Sequence, residues 1–264
     1  MAQSSGGIAT PPASASHLVL IPSYNTGAKL FETVAEARRQ WNPVWVVIDG
    51  STDGSGTELQ RRCAGDPGVR VLPLPENRGK GAAILAGLQE AAVSGFTHAL
   101  TMDSDGQHDA TAIPDFMAAS QQAPCAMILG APVFDASAPR LRVQGRRVSN
   151  WWTNLETLWL GINDSLCGFR IYPIGDLCAV MEKSRWMRRF DFDVEAAVRL
   201  TWRGLGLVNK PIAIRYFRPE EGGVSHFHYG RDNLLLAGMH ARLMLGFLLR
   251  LPALLLLRAR SSRR

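Results

Sequence analysis

Asp103-Ser104-Asp105-Gly106-Gln107-His108 is the stretch whose reading decides the fold. It follows an apolar run, Phe96 to Met102, that reads as a strand. Two carboxylates one residue apart therefore leave a strand at its C-terminal edge, and Gly106 lets the chain turn behind them. That edge is where open α/β sheets place their ligands. Carboxylates so close raise each other's pKa unless a cation joins them, and a divalent ion accepts such oxygens while also holding a diphosphate. The stretch reads as a metal-diphosphate site; the alternative is an acidic turn with solvated charges.

Upstream the same pattern recurs. His17 to Ile21 is a short apolar run followed by the turn Pro22-Ser23-Tyr24-Asn25-Thr26-Gly27, and Leu30, Val34 and Ala37 then recur at helical spacing up to Trp41. Val44 to Ile48 reads as a second strand ending in Asp49-Gly50-Ser51-Thr52-Asp53-Gly54. At that edge Asp49 can accept the N–H of a nucleotide base, whereas Asp53 reads as turn and cap. Val69 to Leu74 leads through Pro75-Glu76-Asn77-Arg78-Gly79-Lys80-Gly81 into the small-residue helix Ala82 to Ala92. Glycine amides, a helix N-terminus and two cations suit a phosphate there. The spacing is not that of a P-loop, and G-x-G-x-x-G is missing, which favours a mononucleotide diphosphate with metal over a dinucleotide. Strand-loop-helix alternation with polar groups at strand ends specifies an open, mostly parallel sheet flanked by helices.

These four segments, in this order, resemble the nucleotide half of family 2 glycosyltransferases with the GT-A fold. The D-x-D-x-Q-H form is similar to dolichyl- and polyprenyl-phosphate sugar synthases in particular, over about residues 17 to 235. One departure is that Ile48 stands where the family often has a first acid. The resemblance implies an α/β enzyme that moves a sugar, with inversion, from a nucleoside-diphosphate sugar to a membrane lipid acceptor, a polyprenyl phosphate, with a hydroxyl of a lipid, pigment or glycan as the alternative acceptor and Mg2+ or Mn2+ as cofactor. It implies nucleotide contacts at Pro22, Tyr24, Asn25, Asp49, Lys80 and Asp103, and a metal site at Asp103, Asp105 and Gln107.

The second half reads as the acceptor side. Met127 to Gly130 is a short apolar strand, and Arg140, Arg142, Arg146 and Arg147 follow. Arginines pair with phosphate through charge-assisted hydrogen bonds. Arg140 and Arg142 read equally well as solvated, whereas Arg146 and Arg147, just before Ser149-Asn150-Trp151-Trp152, match the place where the resembling synthases hold a lipid phosphate. Asn163 to Tyr172 is similar to the family's Asp-x-x-x-Gly-Phe-Arg segment. The resemblance makes Asp164, with Asp105, the catalytic pair, and puts Ser149 and Arg170 with the acceptor. Asp164 would act as base toward a hydroxyl, or orient a phosphate that is already anionic. Asp193 and Glu195 precede a helix and either cap it or face the sugar. Glu220 to His228 resembles a loop that closes over the diphosphate, with His226 on a phosphate.

Composition bounds the rest. A chain of 264 residues, 46% hydrophobic and 20% charged, suits a folded catalytic domain over disorder. The expected organisation is a flexible tail over 1–16, a domain over 17–233 with a nucleotide half (17–122) and an acceptor half (123–233), and a segment 234–264 comprising an apolar helix and a basic tail. The net charge of +6 is concentrated late, in Arg250, Arg258, Arg260, Arg263 and Arg264, which suits an anionic surface rather than nucleic acid. Four scattered cysteines suit a reducing compartment. The first sixteen residues lack the apolar core of an export signal. Leu234 to Leu257 is leucine-rich, but His240, Arg242, Arg250 and Pro252 interrupt it. A helix lying in the interface of a membrane fits better than a spanning one, with packing on the domain or in a homo-oligomer as the alternative. The expected location is peripheral, on the cytoplasmic face of a membrane. A non-catalytic nucleotide-sugar-binding protein is the competing class, yet Asp103, Asp105 and Asp164 are all intact.

Overall fold

The computed structural model describes residues 11–134, 140–215 and 229–261. The first half alternates β1 (His17–Ser23), α1 (Lys29–Gln40), β2 (Val44–Asp49), α2 (Ser55–Cys63), β3 (Val69–Leu74), α3 (Lys80–Val93) and β4 (His98–Thr101). The second half follows with α4 (Ile113–Gln122), β5 (Ala126–Phe134), α5 (Arg140–Glu156), β6 (Arg170–Pro173), α6 (Ile174–Glu182), α7 (Phe192–Trp202), β7 (Gly206–Ile214) and α8 (Tyr229–Ser261). The strands form one sheet in the order β3-β2-β1-β4-β6-β5-β7, parallel except for β6, which runs against both β4 and β5.

Continuous apolar runs such as Leu18 to Ile21 and Val44 to Ile48 are buried throughout, as strands covered on both faces must be. Their period of two sorts them between the layers. Leu18, Leu20, Trp45 and Val47 pack on one face with Ala83, Ile84 and Leu88 of α3. Val19, Ile21, Val44 and Val46 pack on the other with Leu30 and Val34 of α1 and Phe116 of α4. Gly87 lets α3 sit close, since a Cβ there would enter Leu20 and Val47.

Two features of this topology position the site. Because β1 to β4 are parallel, the loops after all four open on one edge. Because β6 is antiparallel, with Thr101 opposite Arg170, it is the start of β6 that reaches this edge, bringing residues 163–169 to it. Strand β5 is longer than its apolar core suggests, since pairing with β7 carries it to Phe134. Residues 11–16 depart from the expected tail: Ser14 N–H donates to the Asn42 carbonyl and Ser16 accepts from the amides of Thr97 and His98.

Helix α8 buries Met239, Leu243, Phe247 and Leu254, and packs on α5 and α7. Its segment Leu234–Ala259 is long and apolar enough to cross a membrane by length and composition, so the polar interruptions do not by themselves exclude a span.

At the opposite edge of the sheet, the rings of His17 and His98 stack at 4.5 Å. His17 also holds Ser16 Oγ at 2.8 Å and Ser120 Oγ at 3.1 Å. Burial, and then the neighbouring His98, push His17 down to about 4. An unfolded histidine takes its proton near pH 6.5, so the unfolded state binds more protons across that interval. Stability from this site is complete above about pH 6.5 and is lost as pH falls toward 4. Thermal melts should show the midpoint dropping between pH 7 and pH 4.5, with His17→Gln flattening that part of the profile; an unchanged slope would count against it.

Candidate active site

Lys80 begins α3, and its ammonium lies 2.7 Å from Asp103 Oδ1, at the end of β4, and 2.7 Å from Asp193 Oδ2, in the first turn of α7. Gly168, just before β6, makes the space: a Cβ there would collide with the Asp103 carboxylate and the Lys80 ammonium. Burial works against the Lys80 charge, but the two carboxylates outweigh it and raise its pKa. Burial likewise disfavours the Asp103 carboxylate, yet Lys80 and further cations hold it below the usual range. Asp193 moves the other way, because burial outweighs Lys80 there. Asp105 is pushed up to about 6, by burial and then by the Asp103 charge, and its Oδ1 accepts the Gln107 N–H at 3.0 Å.

A second cation beside Asp105 would relieve that repulsion, and the carboxylate oxygens of Asp103 and Asp105 suit a hard divalent ion. Among the described residues no three carboxylate, imidazole or thiol groups converge on one metal position. Asp103 and Asp105, among the described residues, would supply only part of such an ion's coordination shell.

The loops around this cluster are fastened to one another. Asp49, buried at the end of β2, accepts from the amides of Arg78 at 2.9 Å and Gly79 at 2.8 Å, so the carboxylate expected on a nucleotide base also fixes the loop before α3. Gly50, at φ +65°, is required where the backbone of Glu76 and Asn77 passes. Asn25 binds the next loop three times: its N–H donates to Ser51 Oγ at 3.0 Å, its Nδ2 donates to Thr52 Oγ1 at 3.4 Å, and its Oδ1 accepts from Thr52 N–H at 2.8 Å. Pro22 lies buried in β1, and Tyr24 follows half-buried in the same loop. Asp53 does turn duty, accepting from Ser55 and from the Gly27 amide.

Beside this lies a second cluster centred on Asp164, which is 3% exposed. Its Oδ1 accepts from Arg146 Nη1 at 2.6 Å and from the amides of Leu166 at 2.9 Å and Cys167 at 2.7 Å; its Oδ2 accepts from Asn150 Nδ2 at 3.1 Å. Asn150 Oδ1 in turn accepts from the N–H and Oγ of Ser165. Arg146 and Asn150 lie one turn apart on α5 and clip it to the loop before β6.

The other expected residues fall elsewhere. Arg147 is exposed on α5. Ser149 turns toward α8, 3.3 Å from His240 Nε2. Arg170 is fully buried, its guanidinium donating to the carbonyls of Asp193 and Asp164 and to the Tyr172 hydroxyl, so it braces the two clusters from beneath. Glu195 is buried between α7 and α8 with Arg199 and Arg242. His226 lies outside the described residues, as does the rest of the expected closing loop. Asn150 and Gly168 were missed as functional positions, although Gly168 sits inside a segment singled out for its flanking residues.

A sequence profile of Glycosyl transferase family 2 matches residues 18–179. Undecaprenyl-phosphate mannosyltransferase of Micrococcus luteus is 29% identical over 74% of this chain and 82% of its own length. Polyprenol monophosphomannose synthase of Mycolicibacterium smegmatis is 30% identical over 79% of each. Among solved structures, glucosyl-3-phosphoglycerate synthase from Mycobacterium tuberculosis in complex with Mn2+ and UDP-glucose superposes with a TM-score of 0.59 at 17% identity, over 87% of this chain and 77% of that one. That likeness concerns the fold, a GT-A arrangement.

Gly168→Ala tests the packing of the first cluster. The added methyl displaces Asp103 or Lys80, so affinity for UDP with Mn2+, used as a probe pair in calorimetry, should fall at least about tenfold while the circular dichroism spectrum is retained, the order of a one- to two-kcal/mol overpacking penalty. Undiminished affinity would mean that the cluster yields freely.

Proposed function

The chain belongs to glycosyl transferase family 2, and from that premise we propose that it transfers a sugar from a nucleoside-diphosphate sugar to a polyprenyl phosphate at a membrane surface. The observation that carries the acceptor class is the state of Asp164. A hydroxyl acceptor needs an unengaged base, whereas Asp164 Oδ1 is taken by Arg146 and two backbone amides, and Oδ2, which accepts from Asn150, keeps only one lone pair. A phosphate monoester is largely anionic near neutral pH and needs no base. Asp164 then serves to aim Arg146, whose guanidinium pairs with the acceptor phosphate, with Arg147 as a second cation beside it. The names of the two mannosyltransferase relatives support the same acceptor.

On this reading an acceptor phosphate oxygen forms a bond to the anomeric carbon while the bond from that carbon to the diphosphate oxygen breaks. The electron pair leaves with the nucleoside diphosphate, no proton need move, and displacement from the opposite face inverts the carbon. On the same reading Lys80 pairs with the diphosphate and Asp193, 2.7 Å from Lys80, faces the sugar. A divalent ion held by Asp103 and Asp105, with Gln107 beside them, would offset charge on the departing diphosphate.

The membrane part rests on α8 and α5. Opposite its buried face, α8 exposes Leu245, Leu248, Leu249, Leu255 and Leu256 by 53% to 76%. Trp151 and Trp152 are exposed on α5 nearby, Trp152 being 6.3 Å from the His240 ring of α8. An apolar ridge with interfacial tryptophans, along a helix whose other side packs on the domain, suits a helix lying on the cytoplasmic face.

Transfer of radiolabelled sugar into an organic-extractable product checks the reading. Arg146→Ala should lower transfer to a polyprenyl phosphate by about 100-fold, on the order of 3 kcal/mol, with donor binding retained. Asp164→Asn keeps the side chain's size and the acceptor facing Arg146 but sets an NH2 against the Asn150 NH2, and should lose about tenfold; a loss of 1,000-fold or more would identify Asp164 as a base and the acceptor as a hydroxyl. Asp105→Asn should abolish the metal-dependent part of turnover.

A further inference from the structure

Between α6 and α7 the chain runs Lys183-Ser184-Arg185-Trp186-Met187-Arg188-Arg189-Phe190, with four cations and no acid. The proposed chemistry uses none of them. Lys183, Arg185 and Arg189 are exposed, and Trp186 and Phe190 are each 37% exposed, an uncommon display for large aromatic rings. Arg188 differs: its guanidinium turns inward and donates to the carbonyls of Met181, Ser184 and Trp186, which holds the loop in one shape. Asp191 closes it from the other end by accepting from the amides of Met187 and Arg189. This is a rigid platform that points cations and rings outward.

The platform is fastened to α8. Arg242 lies over the Trp186 ring at 3.8 Å and also reaches Asp191 at 3.8 Å and Glu195 at 3.4 Å. His240, which touches α5, precedes Arg242 by two residues, about 200° around the helix. The exposed leucine ridge therefore runs between two flanks, with Trp151 and Trp152 of α5 on the His240 side and Trp186 with its basic neighbours on the Arg242 side. Its inner surface meets the donor loop, where the Ala82 amide donates to the Arg188 carbonyl and a Cβ on Gly81 would strike the Met187 carbonyl.

We propose that residues 183–190 form a second membrane contact that binds anionic lipid headgroups, setting the tilt of the enzyme on the bilayer about the α8 ridge. The proposal rests on the interfacial reading of α8 and adds a lipid class and a second point of attachment. Charge selects the occupant: cations interleaved with Trp and Phe beside an apolar ridge match the negative headgroup layer above a hydrocarbon one. A contact held at the ridge alone could roll about the helix axis; a contact on its flank stops the roll and fixes the donor loop at one height above the surface.

The full chain is sedimented with vesicles of phosphatidylcholine and with vesicles containing phosphatidylglycerol. Wild type should bind both, the anionic ones more tightly. Lys183→Ser/Arg185→Ser/Arg189→Ser should weaken binding to the anionic vesicles by on the order of 100-fold, as about one kcal/mol per cation implies, and leave binding to phosphatidylcholine unchanged. Trp186→Ala, with its charges intact, should weaken binding to both. Equal anionic preference in the triple variant and wild type overturns the proposal while leaving the α8 reading in place. Wild type that binds neither vesicle overturns both. A triple variant that changes oligomeric state in light scattering without vesicles identifies the platform as a contact between copies of the chain, and also overturns it.

Discussion

The site depends on one buried ammonium. Lys80 joins Asp103, in the loop just after β4, and Asp193, in α7, residues that are far apart in the chain. Lys80 and Asp103 are half-buried and Asp193 is buried, so removing one partner leaves its neighbours' charges partly uncompensated, and the three positions depend on one another. The surrounding backbone serves this contact. Gly168 yields space to it, Gly79 and Gly81 let α3 approach the loop before α7, and Arg170 ties the carbonyls of Asp164 and Asp193 together beneath it. The fold thus carries a resident cation at the place where its two carboxylates would otherwise repel.

What could be read from the sequence was the part fixed by local pattern. Apolar runs ending in Asp49 and Asp103 mark strand ends, and parallel order then puts those acids on one edge without further information. The D-x-D turn, the turn role of Asp53 and the helix after Gly79 follow from the same local chemistry. Positions decided by long-range packing were not legible. Asp193 and Glu195 are two apart on one helix, hence on different faces, and only the placement of α7 between Lys80 and α8 determines which acid meets the donor side. Arg170 has the composition of a ligand, but the register of β6 against β4 turns it inward. The pairing of Arg146 with Asp164 depends on β6 running antiparallel, which no periodicity in a four-residue strand announces.

Helix α5 ties the cluster at Asp164 to α8. One face presents Arg146 and Asn150 to Asp164. A second presents Ser149 and Glu156 to His240 of α8, with His240 Nδ1 at 2.9 Å from Glu156 Oε1. A third exposes Val148, Trp151 and Trp152. Burial raises the Glu156 pKa, opposed by its hydrogen bond to His240, so the contact between the helices is specific rather than merely apolar. The arginine assigned to the acceptor is thus held one turn from residues that grip the helix assigned to the bilayer.

That arrangement bears on how a lipid-borne phosphate and a water-soluble nucleotide can meet. A phosphate on a polyprenyl chain cannot rise far above the headgroup layer, so the enzyme must bring its acceptor cations down to that level. At the same time its donor loops must stay open to water. On the proposed function, the α5 that touches both α8 and Asp164 would set the first height, and the loop before α7, which touches both α8 and the backbone at Gly81 and Ala82, would set the second. Both heights would then be measured from one helix. The separation between donor and acceptor would be a property of the fold, and the membrane would have only to supply the plane.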